Sequence, residues 1–170
     1  PGCLFTATLE TWSRTEAHFG LTIRRLAPVS SEVEAFEAGG GMQAIYLSDG
    51  ERKRCCGMRK LAPLREACAG KSWWITGLRG GHSANRSTMD MVEDAPEWGL
   101  KKFHPLLDWD DDMIEAAVVA TGVPVNPLHA LGYPSIGCAP CTRPVLPGEA
   151  VRAGRWWWEA SSRECGLHRG

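Results

Sequence analysis

The 170-residue sequence predicts an α/β sandwich built around a parallel sheet, and three observations carry that expectation. Segments with helical spacing alternate with short apolar runs, the order in which crossover helices separate parallel strands. Residues 72–78 form a continuous apolar run around Trp73-Trp74-Ile75 that ends at Gly77, a pattern suited to a strand covered on both faces. The length fits one domain, and 44% hydrophobic residues are enough for a sizeable core.

Taken in order, residues 3–8 (Cys-Leu-Phe-Thr-Ala-Thr) read as a short buried strand. Residues 10–19 are weakly helical and stop at Gly20. Residues 21–26 alternate well enough for a second strand, closed by Pro28. Ser30 and Ser31 can cap a short helix that runs to Ala38 and ends at Gly39-Gly40-Gly41. Leu61, Leu64, Ala67 and Cys68 lie at helical spacing in residues 53–69. Pro63 interrupts that segment, so the helix is expected to restart near it, with the cysteine pair on a separate turn. Asp108 or Asp110 can cap a helix to Thr121, which accounts for the acidic run Asp108 to Asp112 better than a metal does. From Gly122 onward the chain is rich in Pro and Gly, and its order is expected to depend on tertiary contacts or a cofactor.

Composition narrows the function. A net charge of −1 gives no basic field for nucleic acid or a membrane surface. No run of about 18 apolar residues predicts a membrane span. The chain opens at Pro1 with no basic-then-apolar leader. Seven cysteines without regular spacing suit a reducing cytoplasm better than a disulfide scaffold.

The chemistry sits on those cysteines. Cys55 and Cys56 are adjacent, and Cys138 and Cys141 form a Cys-x-x-Cys pair. Alone, Cys-x-x-Cys is a weak signal, but adjacent cysteines followed by it are rarer. Four thiolates repel one another unless a metal neutralises them, and the set suits an iron–sulfur cluster or zinc. Arg52, Lys53, Arg54, Arg59 and Lys60 straddle the first pair, where positive charge offsets the thiolates. Cys3 and Cys68 lie outside the pattern and read as small core residues. Cys165 stands alone near the end, with Arg163 before it and His168 after it, either an inert tail thiol or a nucleophile beside cations. Arg152 and Arg155 bracket Ala153-Gly154 ahead of three tryptophans. They are either ordinary loop arginines or a bidentate grip on phosphate or sulfate. Trp156-Trp157-Trp158 suits core packing better than base stacking.

Three longer runs add a resemblance. Residues 133–143 (Tyr-Pro-Ser-Ile-Gly-Cys-Ala-Pro-Cys-Thr-Arg), residues 152–159 (Arg-Ala-Gly-Arg-Trp-Trp-Trp-Glu) and residues 164–168 (Glu-Cys-Gly-Leu-His) resemble assimilatory adenylyl-sulfate (APS) reductases, over roughly residues 52–168. The resemblance implies a parallel-sheet fold of the adenine nucleotide alpha-hydrolase-like (PP-loop) kind. It further implies an α/β reductase domain over 1–147 and a catalytic tail over 148–170. The implied activity is reduction of adenosine 5′-phosphosulfate to sulfite and AMP, in the cytoplasm, with thioredoxin as donor and a homo-oligomer as one form. By the same resemblance Cys55, Cys56, Cys138 and Cys141 hold a 4Fe–4S cluster. Cys165 is the nucleophile that takes up the S-sulfonate, and Lys60, Arg79, Arg152, Arg155 and His168 bind the phosphosulfate. Asn126, His129 and Tyr133 match a family loop in which packing is their main expected role.

The chain also departs from the family pattern. After Arg79 it reads Gly80-Gly81-His82-Ser83, without the second arginine and the glutamine. No Ser-Gly-Gly nucleotide loop occurs, and Leu9-Glu10-Thr11-Trp12 reads as the altered remnant of a Leu-Asp-Thr-Gly signature. These departures imply an N-terminally truncated sandwich, with an inactive fragment as one outcome. The alternatives are a non-catalytic iron–sulfur or zinc remnant and a reductase of the 3′-phosphorylated substrate (PAPS).

Overall fold

Helix formation begins earlier than the sequence pattern predicts. In the computed structural model, which describes residues 2–82, 86 and 88–159, only Leu4 of the expected first strand pairs, in an isolated antiparallel bridge with Cys138. The chain enters helix α1 (Thr6–Phe19) immediately after Phe5 and stops at Gly20. Residues 6–8 are too weak in strand preference to resist joining a helix that continues for three further turns. Leu9-Glu10-Thr11-Trp12 therefore lies inside a helix. Residues 21–26 form no strand.

Helix α2 (Ser30–Ala38) matches its expected bounds, although neither serine caps it; Val29 holds the N-cap position without a side-chain bond. A short turn of helix, α3 (Gly41–Ala44), follows. Helix α4 (Asp49–Cys56) is capped by Ser48, whose Oγ accepts from the Glu51 N–H at 3.2 Å. It runs into a π-helical turn (Gly57–Leu61) and then helix α5 (Ala62–Cys68). Pro63 has no N–H to give, and its ring crowds the carbonyl one turn back. The wider π turn just before it, in which the Ala62 N–H reaches the Gly57 carbonyl, lets the helix continue.

The described residues divide into two compact units, one of residues 1–67 with those from 126 onward, the other Cys68–Val125. The second unit carries strands β1 (Trp73–Ile75), β2 (Val92–Ala95) and β3 (Leu100–Phe103), in the order β1-β3-β2. β1 runs parallel to β3, with Trp74 opposite Lys102, while β2 is antiparallel to β3. The parallel pair is as expected, but its burial is not. β1 is an edge strand, and Trp73 and Ile75 on one face are 53% and 67% exposed. On the other face Trp74 packs on Trp98 at 5.2 Å, with the Lys102 ammonium 5.8 Å from the Trp74 ring. His104, fully buried, joins the strands: one ring nitrogen meets Thr76 Oγ1 at 2.5 Å, the other Glu93 Oε2 at 3.3 Å. Helix α6 (Asp111–Thr121) is capped by Asp110, which accepts from the Met113 N–H at 2.8 Å.

The core of the first unit is built from Phe36, Ile45, Cys55, Cys141 and Trp156, with Met42, Met58, Cys138 and Trp158 packed against it. Three of the four paired cysteines are thus part of the hydrophobic interior or its margin.

A candidate metal centre lined by cysteines

Cys55 and Cys56 end α4, and Lys60 follows on the π turn. Cys138 holds the N-cap position of a 3-10 turn (Ala139–Cys141) that ends on Cys141, with Pro140 in its first turn where no N–H is needed. Within this turn the Cys141 N–H donates to the Cys138 carbonyl at 2.9 Å, and Thr142 Oγ1 donates to the same carbonyl at 2.9 Å. The two segments meet at one pocket, whose wall contains all four cysteines together with Cys3. Arg52, Arg59, Lys60 and Arg155 also line it, and among the described residues no carboxylate or imidazole does. Among the described residues the donor set is therefore all sulfur, ringed by cations.

Burial raises three of these thiols, Cys55, Cys138 and Cys141. It pushes Cys55 up to about 11, with neighbouring Cys56 adding repulsion and Arg59 opposing it. Cys141 is pushed up to about 12 by burial and by Cys138, Cys56 and Cys55, against the pull of Arg155. Cys138 is raised by burial, then by Cys3 and Cys56, with Lys60 in opposition. Without a bound cation such thiols stay protonated at neutral pH. A metal would displace those protons and use the thiolates.

The supporting shell is specific. Arg52, 1% exposed, forms a bidentate pair with Glu159, Nε–Oε1 at 2.6 Å and Nη2–Oε2 at 2.9 Å. Burial opposes the Arg52 charge, but the bonds and charge of Glu159, and then Cys56, hold its pKa above the ordinary value. Arg59 donates to Glu37 Oε1 at 2.5 Å. Trp156 lies between two guanidinium groups, 4.7 Å from Arg52 and 4.6 Å from Arg155. Its backbone takes φ 44°, a conformation rarely held by a residue other than glycine. Its N–H donates to the Cys141 carbonyl at 3.2 Å and its own carbonyl accepts from Glu159 at 2.9 Å.

Arg155 reaches the pocket because Gly137 has no side chain: an added Cβ would collide with the Arg155 guanidinium. Gly154 is required in the same way, since a Cβ there would strike the Arg143 carbonyl and break the bridge between Thr142 and Arg155.

Of the residues expected to bind substrate, Lys60 and Arg155 stand in the pocket wall. Arg152 is half-buried in the same unit, with Nη1 3.4 Å from Ser135 Oγ. Arg79 belongs to the second unit, where it pairs with Asp111 at 2.5 Å. Cys165 and His168 lie outside the described residues. Asn126, His129 and Tyr133 pack as expected: Asn126 bonds Thr8 Oγ1 at 3.0 Å, the His129 ring meets the Tyr133 carbonyl at 2.9 Å, and Tyr133 stacks edge-on against Phe5. Cys68 is a buried core residue, but Cys3 is not. It is half-buried in the thiol pocket, a placement no sequence spacing signals. Nor does the basic run separate buried Arg52 from exposed Lys53 and Arg54.

Comparison with known proteins places this geometry. Residues 1–144 match the phosphoadenosine phosphosulfate reductase domain. The chain belongs to that family. Adenosine 5′-phosphosulfate reductase of Sinorhizobium fredii (strain USDA 257) is 52% identical over 98% of the chain and 67% of its own length. The enzyme of the same name from Rhizobium tropici is 51% identical, with 98% of the chain and 93% of the relative covered. That of Allochromatium vinosum is 47% identical over 99% of the chain and 66% of its length. Among solved structures, a phosphoadenylyl-sulfate (PAPS) reductase from Candida auris, in a phosphate complex, superposes with a TM-score of 0.65 at 25% identity. It covers 81% of the chain and 65% of that protein. The family fold is the expected α/β class, here with a sheet containing a parallel pair. Within the family, all four paired cysteines of this chain meet at one pocket. Yet among the described residues no three His, Cys, Asp or Glu side chains are grouped as a single metal ion would need.

Proposed function

We propose that this chain carries the sulfur-handling centre of an adenylyl-sulfate reductase, which reduces adenosine 5′-phosphosulfate to sulfite and AMP in sulfate assimilation. The observation that supports it most is the convergence of Cys55, Cys56, Cys138 and Cys141, from segments 82 or more positions apart, on a pocket ringed by cations. The relatives near 50% identity are named for the 5′-phosphosulfate, whereas the structural relative named for the 3′-phosphorylated substrate stands at 25%. That contrast favours the first substrate.

An all-thiol donor set drawn from four cysteines and ringed by cations suits a 4Fe–4S cluster, with a structural zinc as the second possibility. When bound, the cluster would supply architecture and a fixed field beside the substrate, since the electrons come from thiols. Lys60 and Arg155, in the pocket wall, with Arg152 of the same unit, are the proposed ligands of the phosphosulfate oxygens. His168 is assigned to orient that group.

In the proposed reaction the Cys165 thiolate attacks the sulfate sulfur. The sulfur–oxygen bond to the phosphate breaks and AMP leaves with the electron pair. The product is a Cys165 S-sulfonate. A thiolate of reduced thioredoxin then attacks the Cys165 sulfur and expels sulfite, and thioredoxin's second thiol resolves the mixed disulfide. This chemistry needs a reducing compartment, and we place it in the cytoplasm. Among the described residues no helix is long and apolar enough to cross a membrane.

The test is direct. Anaerobically purified protein incubated with adenosine 5′-phosphosulfate should gain one sulfonate on Cys165, read by mass spectrometry and removed by reduced thioredoxin. The cysteine should also be the first labelled by an alkylating agent. Sulfonate on another cysteine, or preferential labelling of Cys68, would defeat the assignment.

A further inference from the structure

Cys3 has no place in the reaction above, yet the fold brings it to the metal centre. Leu4 faces Cys138 in an antiparallel bridge, and the Ala139 N–H donates to the Cys3 carbonyl at 2.8 Å. Directly opposed residues in such a bridge are about 4.5–5.5 Å apart. The Cys3 backbone thus runs beside Cys138-Ala139, and its free, half-buried thiol lies in the same pocket wall as Cys138.

A second observation concerns the same wall. Trp156, 1% exposed, lines the pocket, and its indole Nε1 is buried with no hydrogen-bond partner. A buried donor left unpaired is unfavourable, because it has given up its hydrogen bond to water without a replacement. A sulfur acceptor arriving in the pocket would relieve that cost. Cys55 and Cys141 are locked into the core at 7% and 6% exposure. Cys138 is only half-buried and shares its bridge with the Cys3 segment.

We propose that Cys3 is a fifth thiol of the metal centre, able to take the place of Cys138 as a ligand to the iron–sulfur cluster. The exchange keeps four thiolates and the same charge, so it requires only a local shift of the N-terminal segment. The proposal rests on the cluster reading given above.

Four proteins test it: wild type, Cys3→Ser, Cys138→Ser and the double variant, each produced anaerobically with ample iron. Iron per chain, visible absorption and far-ultraviolet circular dichroism are measured. Wild type and Cys3→Ser should match. Cys138→Ser should keep more than half of the wild-type iron, and the double variant should fall to background. A folded Cys138→Ser protein without iron overturns the proposal, as does a double variant that keeps as much iron as Cys138→Ser. Wild type without iron overturns the cluster reading and this inference with it. That outcome is distinct, because no substitution is then needed to lose the colour. Should Cys138→Ser fail to fold, the wild-type chain decides. Stripped of iron and treated with diamide, which takes two electrons and two protons from a pair of thiols, it should join Cys3 by a disulfide to the peptide carrying Cys138. Cys3 recovered as a free thiol under those conditions overturns the proposal.

Discussion

Arg52 shows how much one residue depends on context that the local sequence does not display. It begins a basic run, but it alone of Arg52-Lys53-Arg54 is buried, because Glu159, 107 positions away, meets it with two hydrogen bonds. Glu159→Gln should leave a buried guanidinium without its counter-charge and cost about 3–5 kcal/mol. The check is a lower urea midpoint at unchanged slope. Gly154 is a second such position. Gly154→Ala should lose the bridge between Thr142 and Arg155, because the new methyl meets the Arg143 carbonyl, which cannot yield as a flexible side-chain tip would. Loss of that bridge should withdraw Arg155 from the pocket, seen as weaker protection of the metal-free protein by phosphate in thermal unfolding.

Among the elements, those marked by caps and breakers were legible and those resting on strand preference were not. Asp110, Gly122 and the spacing between them define α6 almost to the residue. Asp110→Ala should remove its cap and cost roughly 1 kcal/mol, measured by thermal or urea unfolding. Gly20 and Gly39 likewise follow α1 and α2 directly. The expected strands at 3–8 and 21–26 do not form, since a strand exists only when a partner supplies its hydrogen bonds, and among these residues only Leu4 finds one. Pro63 was legible as an obstacle, but its solution was not. Whether a helix breaks, kinks or widens into a π turn depends on packing around it, and here the widened turn carries Arg59 and Lys60 at the pocket.

At the scale of the molecule, metal binding and folding of the first unit are coupled. The thiols join segments that also meet through apolar contacts, the Arg52–Glu159 pair and the Tyr46 hydroxyl bond to the Pro140 carbonyl. Cys56→Ser should lose the cluster and lower the unfolding midpoint, read from iron content and denaturation together. Chelation of iron from the wild type should lower the midpoint in the same direction, because binding to the folded state alone adds stability. A wild-type midpoint indifferent to iron removal would show that the cysteines are packed without being braced by metal.

The sequence by itself determined the family, the cysteine pairs and the chemistry they suit, because thiolate clusters demand particular residue types and those residues survive in recognisable runs. It also determined the helix ends, where a cap or a glycine acts through bonds within a few residues. Only the tertiary structure decided which cations face the thiols, that Trp156 is held at positive φ between Arg52 and Arg155, and that Cys3 belongs to the pocket. Those facts follow from contacts between distant segments. Burial and like-charge repulsion, which set the protonation of the thiols, arise only once those segments have met.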